Sequence, residues 1–145
     1  MAGDIDALRQ WLRRCPAVAR GRLFGVDYLA EGEGYSLDAV ASPIRYSENI
    51  LGQVRPLDRQ ARDFVFAARS AREAGAERNL DSLEAMQAVA DWVLARNAEG
   101  DFPRWTGGAV VGVAPVLCPC GRTLDADAGR YELRLRVTYT IIDKE

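Results

Sequence analysis

The first segment of the chain places apolar residues at helical spacing. The apolar positions of residues 4–15 recur every three or four residues and therefore share one face of a helix. They are Ile5, Leu8, Leu12 and Cys15. Pro16 follows at once, and a proline disfavours helical geometry in the residue before it. The pattern predicts a short amphipathic helix over residues 4–15.

Alternation of apolar and polar residues, typical of half-buried strands, follows in residues 22–30 and 35–40. The glycine-containing stretch between them, residues 31–34, favours a turn, so these strands are expected to pair as an antiparallel hairpin. Alternation returns in residues 58–69, which predict a long strand. Its expected partner is the segment 44–51, through a second hairpin.

The long strand carries an aromatic row, Phe64 and Phe66, that needs an apolar cover. A second helix is predicted over residues 80–97, where Asp81 with Glu84 resembles a capping box at the helix start. Its apolar stripe consists of Leu83, Met86, Ala90, Val93 and Leu94. We expect the aromatic row to pack against this stripe.

Two more strands are predicted, at residues 110–117 and 130–142, and residues 72–79 form a polar linker. The element order is therefore helix, four strands, helix, two strands. Strands that cluster in sequence pair most easily in antiparallel fashion. We predict an α+β fold in which two helices cover a mostly antiparallel sheet, as a single domain over residues 1–145.

The last strand has two faces of opposite character. Its apolar row is Tyr131, Leu133, Leu135, Val137, Tyr139 and Ile141, and its polar row begins with Arg130, Glu132, Arg134 and Arg136. A polar row is ordinarily solvated. Guanidinium groups also form bidentate hydrogen bonds with carboxylates or phosphates. Contact of this row with another subunit or with a polyanion is therefore an alternative. Between subunits, Asp125 and Asp127 of the preceding turn are predicted partners of these arginines.

The amino-acid composition limits the kinds of catalytic site, metal site and partner that the chain can have. Histidine is absent from the 145 residues, which excludes Ser-His-Asp and Cys-His catalysis and histidine-containing zinc sites. The net charge is −2, whereas general nucleic-acid and membrane-surface binders are usually clearly basic. No apolar run approaches the roughly 18 residues of a membrane span, and we do not expect residues 1–15 to act as a secretory signal, because acids come first and no apolar segment follows. We expect cytoplasmic synthesis and neither enzymatic activity nor a cofactor.

The three cysteines leave three interpretations open: a structural or incidental role, metal binding across subunits, and redox chemistry. Cys118 and Cys120 would project to the same side of an extended strand. Zinc knuckles usually space their cysteines by two residues or more and need a second pair, and Cys15 is the only other thiol. The incidental role is favoured, and no bound metal is expected.

Along nearly its whole length the chain resembles the small tail-completion proteins of long-tailed phages and prophages, often labelled minor capsid protein, which are similar to the tail terminators of lambda-type siphoviruses. The matching segments are "CP" (15–16), "VDYL" (26–29), "YSLDAV" (35–40), "DFVFAAR" (63–69), "ADWVLARNAEGDFP" (90–103) and "LDADAGRYELRLRVTYT" (124–140). None of these segments is catalytic. Cys118 and Cys120 fall where relatives tend to have polar turn residues.

The resemblance implies a structural role in the virion. Such proteins form a ring, typically hexameric, on the end of the tail tube away from the tip, stop its polymerisation and offer a surface to the head connector. The implied partners are further copies of the chain, the tail tube protein and the head–tail connector protein, with DNA passing through the lumen. A head–tail connector or neck subunit is the alternative within the same assembly. A small metal- or thiol-dependent module built on Cys118 and Cys120 is the alternative of another class.

Overall fold

Two helices pack on one face of a mostly antiparallel five-stranded sheet, and a separate two-stranded hairpin completes the α+β fold. This computed structural model describes residues 3–30, 32–71, 76–124 and 128–141. The buried apolar side chains form one core between the helices and the sheet. The predicted fold class is confirmed.

The elements follow one another as helix α1 (Asp4–Leu12), strands β1 (Leu23–Val26), β2 (Gly34–Ala39), β3 (Tyr46–Glu48), β4 (Val54–Pro56) and β5 (Arg59–Ala71), helix α2 (Ala76–Ala98), and strands β6 (Gly108–Thr123) and β7 (Ala128–Ile141). The strand order in the sheet is β1-β2-β5-β7-β6, and β3 pairs only with β4. No helix within the described residues is both long and apolar enough to cross a membrane.

Both helices differ from their predicted bounds. Helix α1 ends at Leu12, because the next backbone amides, those of Arg14 and Cys15, bond three residues back and tighten the chain before Pro16. Helix α2 begins at Ala76, so the predicted linker is helical from that residue on. The prediction of a capping box at Asp81 was therefore wrong, since that residue lies inside the helix.

The stripe predicted for α2 is correct in all but one position. Met86, Ala90 and Val93 are buried, and Val89 lies between them on the same face at helical spacing. Leu94 is 51% exposed, because it follows Val93 by one residue and is therefore turned about 100° away from the core.

The predicted hairpin between the first two strands was wrong: β1 and β2 are parallel, with Leu23 beside Gly34. The chain reverses at Asp27, whose φ of 51° lies in the left-handed region. Asp27 N–H donates to the Leu37 carbonyl, and its carboxylate accepts from Ala39 N–H at 2.9 Å. These bonds hold the return segment to the edge of β2, and the chain then runs back before β2 begins.

The second predicted hairpin was also wrong in its partner. Residues 44–51 do not pair with β5; within them, β3 pairs with β4 instead, with Tyr46 opposite Pro56. On one side β5 pairs with β7 along thirteen residue pairs, and on the other β2 pairs with residues 64–69. Beyond β2, the chain bonds to Asp63 and Gln60 through Val40, Ser42 and Arg45 without continuing the strand pairing. The β3–β4 hairpin therefore lies outside the main sheet, and we call it the arm.

The core between sheet and helices is built on the predicted aromatic row. Phe64 and Phe66 are fully buried and belong to the same cluster as the α2 stripe, which confirms that expectation. The Phe66 ring lies 5.5 Å from the Phe24 ring and 5.4 Å from the Tyr35 ring, measured between centroids. Gly121 makes room for another ring, because a Cβ atom there would lie 2.6 Å from Tyr131.

Phe66→Ala should lower the free energy of unfolding by about 3–5 kcal/mol, because it empties a fully buried site between two other rings. Denaturant unfolding followed by tryptophan fluorescence measures this. Leu94→Ala is the control; that side chain is half exposed, and the change should stay within about 0.5 kcal/mol. An unchanged unfolding midpoint for Phe66→Ala would contradict the packing described here.

Candidate functional site

The side of the sheet away from the helices is called the open face here. The apolar row of β7 points into the core, where Tyr131, Leu133, Leu135 and Val137 are each at most 2% exposed. The alternation of the strand therefore places Arg130, Glu132, Arg134 and Arg136 on the open face. The two rows predicted for the last strand are confirmed.

One acid on β2 and one on β7 itself pair with the first of these arginines. Arg130 Nη2 lies 2.6 Å from Oδ2 of Asp38 on β2, and Arg130 Nε lies 2.6 Å from Oε1 of Glu132. The same Glu132 oxygen is 2.9 Å from Arg122 Nη2 on β6. Only 14% of the Arg130 side chain is exposed. This network links strands across the sheet.

A second carboxylate binds the other two arginines. Asp63 of β5 stands directly opposite Arg136, which donates from Nε at 2.8 Å and from Nη2 at 3.2 Å. Arg134 Nη2 lies 3.1 Å from the same carboxylate, whose side chain is 10% exposed. The hydrogen bonds from Arg136 lower the pKa of Asp63; burial opposes this, and Arg134 adds to it. The carboxylate is therefore ionised at neutral pH and holds β5 to β7.

The arginines predicted to contact a neighbouring subunit thus have partners within their own chain. Asp38 and Asp63 are the acids that sequence reasoning missed, although each alternates with core residues on its own strand and so had to face the same side as the arginines. Asp125 and Asp127 lie outside the described residues. Contact of Arg134 and Arg136 with another subunit stays a prediction.

A groove of about 530 Å³ opens on this face beside Asp63. Four arginines are among the residues that line it, Arg45, Arg59, Arg134 and Arg136, against one acidic residue, Asp63, which gives the lining a net charge of +3. Arg45 and Arg59 are exposed and form no ion pair within the described part of the chain. We call this surface the basic groove, and it is an anion-binding geometry.

The base of the arm is held by the buried side-chain amide of Gln60. Gln60 is 4% exposed; its Oε1 accepts from Arg45 N–H at 3.0 Å, and its Nε2 donates to the carbonyls of Arg45 and Leu57 at 2.8 and 2.9 Å. At the far end, the Asn49 carboxamide accepts from two backbone amides and closes the turn. Both ends of the arm are therefore fixed by side chains.

Between these fixed ends the arm exposes apolar side chains. Ile50 and Leu51 at its tip are 98% and 82% exposed. Ile44, Tyr46 and Val54 are each more than half exposed as well. A lone two-stranded hairpin is marginally stable in water, and clustered exposed apolar side chains mark a binding surface. The arm is a second candidate binding surface, and no motif in the sequence pointed to it.

The three cysteines differ in how far their side chains are exposed to solvent. Cys118 and Cys120 are exposed on β6, where the pairing with β7 shifts register between Leu117 and Cys120. Cys15 is 2% exposed, and burial raises the pKa of its thiol, which makes it a poor nucleophile at neutral pH. Within the described ranges, no three cysteine or carboxylate residues are close enough to hold a metal ion.

The carboxylates with shifted pKa values offer no proton transfer near neutral pH. The pKa of Asp63 is lowered by Arg136, and that of Asp101 by hydrogen bonds from Arg14, so both stay ionised. Lowered values of this kind are typical of structural ion pairs. The described surfaces include a charged groove and an apolar arm, and both are suited to binding. No family model and no curated protein matches the chain.

Asp63→Asn keeps the shape of the side chain and removes the charge that Arg134 and Arg136 bind; hydrogen bonds to charged groups contribute about 1.5–3 kcal/mol each. Because the folded pKa of Asp63 lies below the unfolded value of about 3.9, its stabilisation is complete above that value and is lost as the pH falls through the folded pKa. Free energies of unfolding of wild type and variant should therefore differ at neutral pH and converge in acid.

Asp101→Asn is the matched control for this titration. Its carboxylate receives two hydrogen bonds from Arg14, at 3.0 and 2.6 Å, but the arginine side chain is 53% exposed. Exposed pairs contribute little, so the effect should be smaller. A gap between wild type and Asp63→Asn that does not change with pH would contradict the ion pair.

Replacing Cys118 and Cys120 together by serine should leave folding and assembly intact, because both side chains are exposed. Cys15→Ser is the contrasting variant: it buries a hydroxyl at a site 2% exposed, which costs about 1–3 kcal/mol. Thermal unfolding and size-exclusion chromatography measure both. Loss of soluble protein in the double variant would show that these two thiols matter to the fold.

Proposed function

We propose that the chain is a structural subunit of a phage or prophage tail that caps the tail tube as a ring. In this role it terminates polymerisation of the tube and provides the surface to which the head connector binds. The subunit acts through contacts and carries out no chemistry. Its place is the virion, at the junction of tail and neck.

The observation that carries this proposal is the arm. It contacts its own chain mainly at the base, around Gln60, and its tip residues Ile50 and Leu51 are almost completely exposed. Apolar side chains held out in this way cost free energy in a monomer, at about 25 cal/mol per Å². The cost is offset when the arm packs on another protein of an assembly.

The open face supports the same function. Its ion pairs join four strands, and the basic groove carries charge that the described residues do not neutralise. A subunit with an apolar arm and a charged face has two chemically distinct surfaces, as a protein between a tube and a connector requires. The resemblance of "FVFAAR" and "RYELRLRVTY" to tail-completion proteins supplies the particular assembly and the hexameric ring.

A growing tail tube provides the test. Addition of the chain to a polymerising tail tube protein from the same phage or prophage should shorten the tubes and place a ring on one end, as seen by electron microscopy. Ile50→Ser with Leu51→Ser should remove this capping without changing the thermal midpoint, because both side chains are exposed. Leu23→Ser is the matched control, since Leu23 is 70% exposed but lies on β1, outside the arm.

Tubes of unchanged length in the presence of the wild-type chain would contradict the capping function. Binding to the connector protein without any effect on tube growth would assign the chain to the neck instead.

A further inference from the structure

Two surfaces of opposite charge lie on opposite sides of the molecule. One is the basic groove on the open face of the sheet. The other, called the acidic helix face here, consists of the exposed residues Asp81, Glu84 and Asp91 of α2. At about 100° per residue these three lie opposite the side of α2 that packs on the sheet. The acidic helix face therefore points directly away from the core, and the basic groove points away in the other direction.

The described residues neutralise neither surface fully. Asp81 and Glu84 form no ion pair within the described residues, and Asp91 accepts a hydrogen bond from the neutral Gln87 amide at 3.0 Å. The three carboxylates carry a charge of −3, and the basic groove carries +3. Exposed Ala88 lies between the acids and lets another surface approach closely.

The dimensions of the two surfaces also agree. Asp81 and Asp91 are ten positions apart, or about 15 Å along the helix. On the sheet, Arg59 and Asp63 are four positions apart, or about 13 Å, and Arg134 extends the groove by one more step.

We propose that the acidic helix face of one copy of the chain binds the basic groove of the next copy. The inference rests on the proposed function and names the contact that would build its ring. Because the two surfaces point in opposite directions, two copies cannot satisfy both contacts with each other. Association is therefore head-to-tail, and a rotation between copies closes it into a ring.

A second copy fits the groove better than a nucleic acid does. The chain carries −2 overall, and a phosphate backbone passing along the groove would also meet the Asp63 carboxylate. Affinity for phosphates grows with the number of cations that contact them, and only Arg45 and Arg59 have no carboxylate bound to them here. The acidic helix face supplies a complementary charge of equal size.

A charge swap tests this contact without disturbing the Asp63 ion pairs. The groove variant is Arg45→Glu with Arg59→Glu, and the helix variant is Glu84→Lys with Asp91→Lys. Each alone should weaken self-association by about tenfold or more, as measured by analytical ultracentrifugation, because like charges oppose each other across the interface. Mixed in equal amounts, the two variants should assemble again, since each altered surface then meets its complement on the other chain.

Arg20→Glu with Arg104→Glu is the matched control. It changes the net charge as the groove variant does, but at exposed residues outside both surfaces, and should assemble like the wild type. The inference would be overturned if the groove and helix variants assembled normally, or if their mixture stayed dissociated. A wild-type chain that is monomeric at millimolar concentration would overturn it too. A groove variant that assembles normally but no longer binds duplex DNA would also overturn the inference, because the groove would then bind nucleic acid and not a second copy.

The outcome is separable from that of the proposed function. Rings that form, respond to the charge swap and yet leave tube growth unchanged would refute capping and keep the contact. If the groove variant and the helix variant both still cap tubes, the proposed contact is refuted and the capping function is kept.

Discussion

The pairing of β5 with β7 is the constraint on which the rest of the structure depends. Thirteen residue pairs, from Arg59 opposite Thr140 to Ala71 opposite Ala128, fix the register of the two central strands. This register places Phe66 on the helix side and brings Asp63 opposite Arg136 on the open face. A shift by one residue would exchange the two faces and expose the core row. In the observed register the ion pairs to Asp63 and the burial of the aromatic row occur together.

Local periodicity predicted this central part and failed at the periphery. The rows of β7 and the stripe of α2 repeat within a few residues, so the sequence alone identifies their faces. The parallel pairing of β1 depends on where the Asp27 carboxylate binds the edge of β2, and the position of the arm depends on hydrogen bonds between the Gln60 side chain and the backbone of Arg45 and Leu57. The arginines of the site were likewise visible in the sequence, but their partner Asp63 lies 73 positions from Arg136 and only the sheet brings them together.

Both edges of the sheet are unsuited to pairing with another chain. Strand β6 contains Pro115 and shifts register twice between that residue and Cys120, which bends the edge and removes a donor. At the other edge β1 has four residues, and the Asp27 carboxylate occupies the Ala39 amide beyond it. Edge-to-edge growth is thereby disfavoured. A partner could instead bind the open face, the outer side of α2 or the arm. The charged and apolar side chains of these surfaces can select that partner.

The arginines of the open face fall into two groups with different tasks. Arg130, Arg134 and Arg136 are bound to Asp38 and Asp63 and join strands that are distant in sequence, so their loss would change the fold as well as the surface. Arg45 and Arg59 stand at the base of the arm without such partners. Stability and surface charge are therefore carried by different residues of one groove. A charge reversal confined to the second group leaves the ion pairs of the sheet in place, and its effect on assembly reports on the surface alone.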